Sequence, residues 1–231
     1  MNKINPIPVM TLDGPSGSGK GTLSVKIAKT LNWHFLDSGA IYRLLGLFIK
    51  KQGICMEAID AIAQSALNLP IKFSQEGRAW LLNKDVSDEI RTEEVGLLAS
   101  TIAKHPIIRQ NLLERQIVFR KMPGLVADGR DMGTVVFPDA TLKFYLEASA
   151  EVRAKRRYLQ LQAQGHNVSL DNLFAEINQR DLQDKTRVVS PLIPAPDAIK
   201  IDTTDLSIDD VYEAILSKIK QSHSHWLTHR V

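Results

Sequence analysis

Short apolar runs alternate along the chain with longer stretches in which apolar positions recur every three or four residues, the pattern of buried strands joined by amphipathic helices. The first run, residues 7–12, stops at Asp13-Gly14-Pro15 and predicts a buried strand entering a tight turn. Leu23, Ile27 and Leu31 then share one helical face. Residues 34–36 predict a second strand, and Ser38 is placed to cap a helix over 40–51. Further short strands are predicted at 125–127, 141–146 and 198–201. Helices are predicted over 57–67, 92–104, 106–120, 150–164 (closed by Gly165), 170–185 and 207–220. The stretch 69–86 has another texture, with alternation and turn residues, and predicts a small antiparallel insertion. The fold class is α/β: a five-stranded parallel sheet flanked by helices on both faces.

Composition supports one soluble domain. The chain has 231 residues, 44% hydrophobic and 24% charged, enough for a core without staples. A formal net charge of +3 is too weak to argue for nucleic acid as partner, but leaves room for a local basic cluster. The single cysteine, Cys55, excludes an internal disulfide and suits a reducing compartment; it reads as a half-buried small apolar residue. No run of about 18 apolar residues argues for a membrane span, and residues 1–8 lack a signal-peptide pattern. A cytoplasmic monomer is expected.

Chemistry concentrates at the ends of the predicted strands. Gly14-Pro15-Ser16-Gly17-Ser18-Gly19-Lys20-Gly21-Thr22 follows a strand and opens a helix, the setting of a P-loop. Its glycines let backbone N–H groups turn toward phosphate oxygens, the helix aims its positive end at the same point, and Lys20 adds a full charge. A Ser or Thr ordinarily follows the lysine and ligates magnesium. Here Gly21 stands there and Thr22 comes one later, so Mg2+ bound with ATP is expected to be held largely by water and phosphate.

In an open parallel sheet, ligands gather at the carboxyl ends of the strands. That rule brings the P-loop, Asp37-Ser38-Gly39 with Tyr42 and Arg43, and Asp128-Gly129-Arg130-Asp131 to one cleft. Arg180, Asp184 and Arg187 follow an i, i+4, i+7 spacing and share a helix face; it suits a ribose hydroxyl plus a phosphate, or equally a salt-bridged surface. Arg153, Arg156 and Arg157 share another face, as a lid over a triphosphate or as a solvated stripe. A lysine, several cleft arginines and no evident nucleophile fit phosphoryl transfer, which needs in-line positioning and positive charge.

The P-loop, Leu36-Asp37-Ser38-Gly39-Ala40-Ile41-Tyr42-Arg43, Asp128-Gly129-Arg130-Asp131-Met132-Gly133 and the stretch from Arg180 through Pro191 together resemble the bacterial cytidylate kinases, over about residues 8–220. The resemblance implies a single domain over 1–231, with an acceptor-binding insertion at about 62–92 and a lid at about 150–166. It implies ATP-dependent phosphorylation of CMP and dCMP. Ser100, Arg109 and Asp131 would read cytosine, Arg180 and Asp184 would hold the sugar, and Arg43, Arg130 and Arg187 would bind the acceptor phosphate, near Ser16 and Lys20. Arg156 and Arg157 would assist transfer from the lid. Rival readings are a kinase for AMP, UMP or shikimate, and a nucleotide switch; for the latter, Asn83-Lys84-Asp85-Val86 lacks the final aspartate of a guanine-reading motif. A metal site from His223, His225 and His229 is weighed against a frayed polar tail, which is preferred.

Overall fold

A computed structural model describes residues 7–73, 77–163, 165 and 167–227. Five strands form a parallel sheet: β1 (Val9–Asp13), β2 (His34–Asp37), β6 (Leu125–Gly129), β7 (Leu142–Glu147) and β8 (Ile199–Asp202), in the order β2-β6-β1-β7-β8. The period of two along the strands fills both faces. Val9, Leu36, Leu125 and Ala127 face one core with α2 (Ser38–Gln52), α3 (Ile59–Leu67), α4 (Glu93–Ile102) and α5 (Pro106–Ile117). Met10, Leu12, Val126, Phe144 and Leu146 face the other, with α1 (Lys20–Leu31) and α8 (Ile208–His223). Burial on both faces explains why the central strands β1 and β6 are buried at every position, whereas β8 at the sheet edge alternates.

The small strands β3 (Ile71–Phe73), β4 (Ala79–Leu81) and β5 (Lys84–Asp85) form a separate antiparallel sheet, where the sequence texture places an insertion. Helices α6 (Ala150–Ala163) and α7 (Leu170–Thr186) pack against each other beyond β7. Arg153 pins that hairpin: its guanidinium pairs with Asp181 of α7 and donates to Ser16 O at 3.1 Å.

Three expectations need correction. The cap of α2 is Asp37, whose carboxylate accepts from Ala40 N at 2.9 Å; Ser38 is already helical and donates to Gln116 Oε1 at 2.7 Å. Cys55 is exposed, with its thiol on Glu57. The three lid arginines leave one helical face, as their spacing requires, but do not act as one group: Arg153 is buried, Arg156 turns to the carbonyls of Thr203 and Leu206, and Arg157 reaches Glu93 of α4. Residues 1–6 and His229 lie outside the described residues, and so does Gln164 at the expected end of α6.

Candidate active site

The carboxyl ends of β1, β2 and β6 lie abreast, since Asp37 pairs with Asp128 and Asp13 with Gly129 in the sheet register. The loops leaving those ends therefore share one cleft of about 330 Å³. The phosphate loop needs backbone that only glycine supplies comfortably. Gly14, at φ 149°, passes so close to β7 that a Cβ would stand 2.2 Å from Leu146 O. Gly19, at φ 87°, turns the chain into α1 without a side-chain cap. The first N–H groups of the helix thus stay available to an anion.

Of the loop, Ser16, Lys20 and Gly21 line the cleft. Gly14, Pro15, Gly17, Ser18 and Gly19 shape the loop outside that lining, and Thr22 is exposed. Lys20 is buried, and its ammonium donates to Pro15 O at 2.9 Å. Burial, then the repulsion of Arg130, brings it down to about 7. Burial pushes Asp128 up to about 7 despite the pull of Lys20.

The remaining lining comes from the other loops and from α2, α4, α5, α6 and α7. It includes Ser38, Tyr42, Arg43, Ser100, Arg109, Asp128, Arg130, Asp131, Arg157, Arg180, Asp184 and Arg187. Arg109 and Asp131 form a buried ion pair, 8% and 5% exposed, and the Arg109 guanidinium lies 5.4 Å from the Tyr42 ring centre. Ser100 Oγ reaches Gln183 Oε1 of α7 at 3.4 Å. Asp184 accepts from Arg130 Nε at 2.8 Å and faces Arg187 Nη1 at 3.5 Å; although burial opposes its charge, Arg130 holds its carboxyl below the usual range. The helical spacing of Arg180, Asp184 and Arg187 thus faces the cleft rather than open solvent.

Charge in the cleft is unbalanced. Seven cationic side chains line it, against four carboxylates. Arg109, Arg130, Arg157 and Arg187 meet carboxylates. Lys20 and Arg43 donate to backbone carbonyls instead, and burial followed by Arg130 and Arg43 brings Arg180 down to about 10. Two buried donors, Arg109 Nε and Arg187 Nη2, have no partner among the described residues. Buried cations without counter-charge are costly, so the arrangement suits anionic ligands.

Asp37, Gly39 and Gly129 line the cleft within the motifs that the sequence brings there, and Ala99 and Ala103 line it with no sign in their residue chemistry. Asp37 carries two duties, as helix cap and lining carboxylate. Arg156, expected to act in transfer, stands outside the lining because its guanidinium is taken up by Thr203 and Leu206. His223 stacks on Trp226 with centroids 4.3 Å apart, and no cluster of three or more metal-ligating side chains occurs among the described residues.

Cations that run from a phosphate loop to a second set of arginines, with one lysine between, suit movement of a charged group along the cleft. Fold and site together define the class: a P-loop phosphotransferase with a small anionic acceptor. Comparison with known proteins narrows it. The family model described as cytidylate kinase matches residues 10–221, and the chain belongs to that family. It is 51% identical to the cytidylate kinase of Stutzerimonas stutzeri over 94% of this chain and 96% of that protein. It is 51% identical to that of Proteus mirabilis over 93% and 97%, and 52% identical to that of Methylococcus capsulatus over 94% and 98%.

Proposed function

We propose that this enzyme transfers the γ-phosphoryl group of ATP to CMP or dCMP, giving ADP and CDP or dCDP. The observation that carries this reading is the surplus of positive charge lining the cleft, with Lys20, Arg43 and Arg180 in no ion pair among the described residues, beside a buried Arg109–Asp131 pair. The phosphate loop takes the triphosphate, and Lys20 lies between donor and acceptor. Arg43, Arg130 and Arg187 take the acceptor phosphate; Arg180 and Asp184 hold the sugar. Transfer then needs alignment and charge neutralisation rather than a protein nucleophile. Arg157, already tied across the cleft to Glu93 of α4, helps to close it against water, which would compete as acceptor.

Asp131 is suited to read the base. A carboxylate accepts from the exocyclic amine of cytosine, whereas uracil presents a carbonyl there and would leave two acceptors facing each other. Arg109 holds that carboxylate in place.

The residues also fit a magnesium ion carried by the nucleotide. Asp37 and Asp128 are side by side on adjacent strands and both line the cleft. Gly21 leaves the space in front of Asp128 open, since a Cβ there would come within 3.1 Å of Asp128 Oδ2. Two carboxylates accepting from metal-bound water match magnesium's reluctance to shed its hydration shell. When bound, the ion neutralises charge developing on the β- and γ-phosphates. Among the described residues no helix is long and apolar enough to cross a membrane. The test is ADP formation from ATP with CMP, dCMP, UMP and AMP in turn. CMP and dCMP are expected to be the preferred acceptors; a folded protein that yields no CDP overturns the proposal.

A further inference from the structure

We propose that Asp13, the residue just before the phosphate loop, is a specificity-positioning residue whose carboxylate fixes the direction in which Asp131 faces the acceptor's base. The proposal rests on Asp131 being the base reader. Asp13 ends β1 and is 5% exposed. Its Oδ1 accepts from Met132 N and its Oδ2 from Gly133 N, each at 2.8 Å. Those residues open a short π-helical turn, Met132–Val136. Its closing bonds run from Val135 N and Val136 N back to Asp131 O, so its first N–H groups have no partner within the turn.

Asp13 supplies both partners from a neighbouring strand. A carboxylate gripping two successive N–H groups fixes two peptide planes, including the one between Asp131 and Met132. Fixing that plane fixes the Asp131 Cα and leaves rotation about its Cα–C bond as the main freedom in aiming the side chain. Arg109 removes much of that freedom through its ion pair with the Asp131 carboxylate. Packing leaves little slack below: Met132 is fully buried, and a Cβ on Gly129 would stand 2.7 Å from Met132 Cγ. Asp13 is itself costly to keep charged, since burial pushes it up to about 6 despite the two N–H groups. A carboxylate kept in such a place does more than end a strand. Because Gly14 follows it directly, the loop holding the donor and the turn holding the base reader share one anchor.

The test is Asp13→Asn. The amide keeps one acceptor but turns an NH2 group toward the second backbone N–H, so the turn must rotate to separate two donors. The readout is the ratio of kcat/KM for CMP to that for UMP, which a loss of active protein leaves unchanged. The ratio is expected to fall roughly tenfold, the worth of one hydrogen bond to a charged group. Equal losses for both acceptors, or an unchanged ratio, overturn the positioning role while leaving the proposed reaction standing. A wild-type enzyme that shows no preference for CMP overturns both. Should the asparagine variant not fold, Gly133→Ala carries the test. Its Cβ would stand 3.3 Å from Asp13 Oδ2 and 3.0 Å from Thr11 Oγ1, and it strains the same grip with Asp13 intact. Here too a narrowed ratio supports the proposal and an unchanged one overturns it.

Discussion

Replacing Arg180 by methionine should make the ligand-free protein more stable and the enzyme worse. The guanidinium is largely buried among cations: burial first, then Arg130 and Arg43, bring it down to about 10. The drop from a free arginine corresponds to about 3 kcal/mol against the charged form in the folded state. The side chain keeps some contact with solvent, so about half of that, ~1–2 kcal/mol, is the reasonable expectation. Methionine keeps most of the aliphatic stem and removes the charge. For a protein of this size the gain corresponds to a rise in Tm of roughly 3–6 °C. The sign with pH follows from a lowered folded-state value. Both folded and unfolded chains are charged well below pH 10, so the gain should be flat from pH 6 to 9 and fade only as pH rises through about 10. Against this, the variant loses a charged hydrogen-bond donor to the acceptor, and kcat/KM for CMP should fall about 10- to 100-fold. Thermal denaturation without nucleotide and steady-state assays with CMP read the two halves. A variant less stable than wild type without ligand would refute the idea that the cleft is held under positive strain until anions arrive.

Other outcomes follow from the same cleft. Asp131→Asn should narrow the preference for CMP over UMP by roughly one to two orders of magnitude, measured as a kcat/KM ratio; unchanged discrimination removes Asp131 from base reading. Lys20→Ala should fold, as circular dichroism can verify, and lose most of its turnover, by about 10²-fold or more; near-normal kcat contradicts its place on the transferring phosphate. Because Lys20 lies near 7 in the free protein and phosphates must raise it, ATP binding at pH 7.5 should draw in a fraction of a proton. Calorimetry in two buffers of different ionisation enthalpy measures this, and equal heats in both, after accounting for binding, speak against it. Gly14→Ala should be severely destabilised, since its Cβ would collide with Leu146 O; a soluble variant of wild-type Tm would show that the close approach of loop and β7 is not required.

Elements with a strong local signature were legible in the sequence. The buried strands, the phosphate loop and the face of Arg180, Asp184 and Arg187 read directly from period, glycine spacing and helical repeat. What escaped depends on contacts between distant segments. Asp37 rather than Ser38 caps α2, a choice that neighbouring capping residues leave open until backbone angles are known. Arg153, Arg156 and Arg157 look alike within one basic run. Their fates diverge because the fold brings a different partner to each: Asp181 to Arg153, Thr203 to Arg156 and Glu93 to Arg157. Asp13 offered no sign of its grip on Met132 and Gly133, which lie more than a hundred residues later; in the sequence it is merely the last residue of a strand. The exposure of Cys55 is not legible either, because a small thiol shortly before a helix says nothing about which side of it meets water.

The order of the strands has a consequence for how such an enzyme can change. With β6 wedged between β2 and β1, the gap between the loops that hold the two substrates is the width of neighbouring strands, about 4.8 Å each. No insertion at the rim alters that gap. The antiparallel hairpins between α3 and α4, none of whose described residues lines the cleft, can therefore lengthen, shrink or take on new residues without touching it. The path the phosphoryl group must cross stays the same length, because the backbone ladder itself is the ruler.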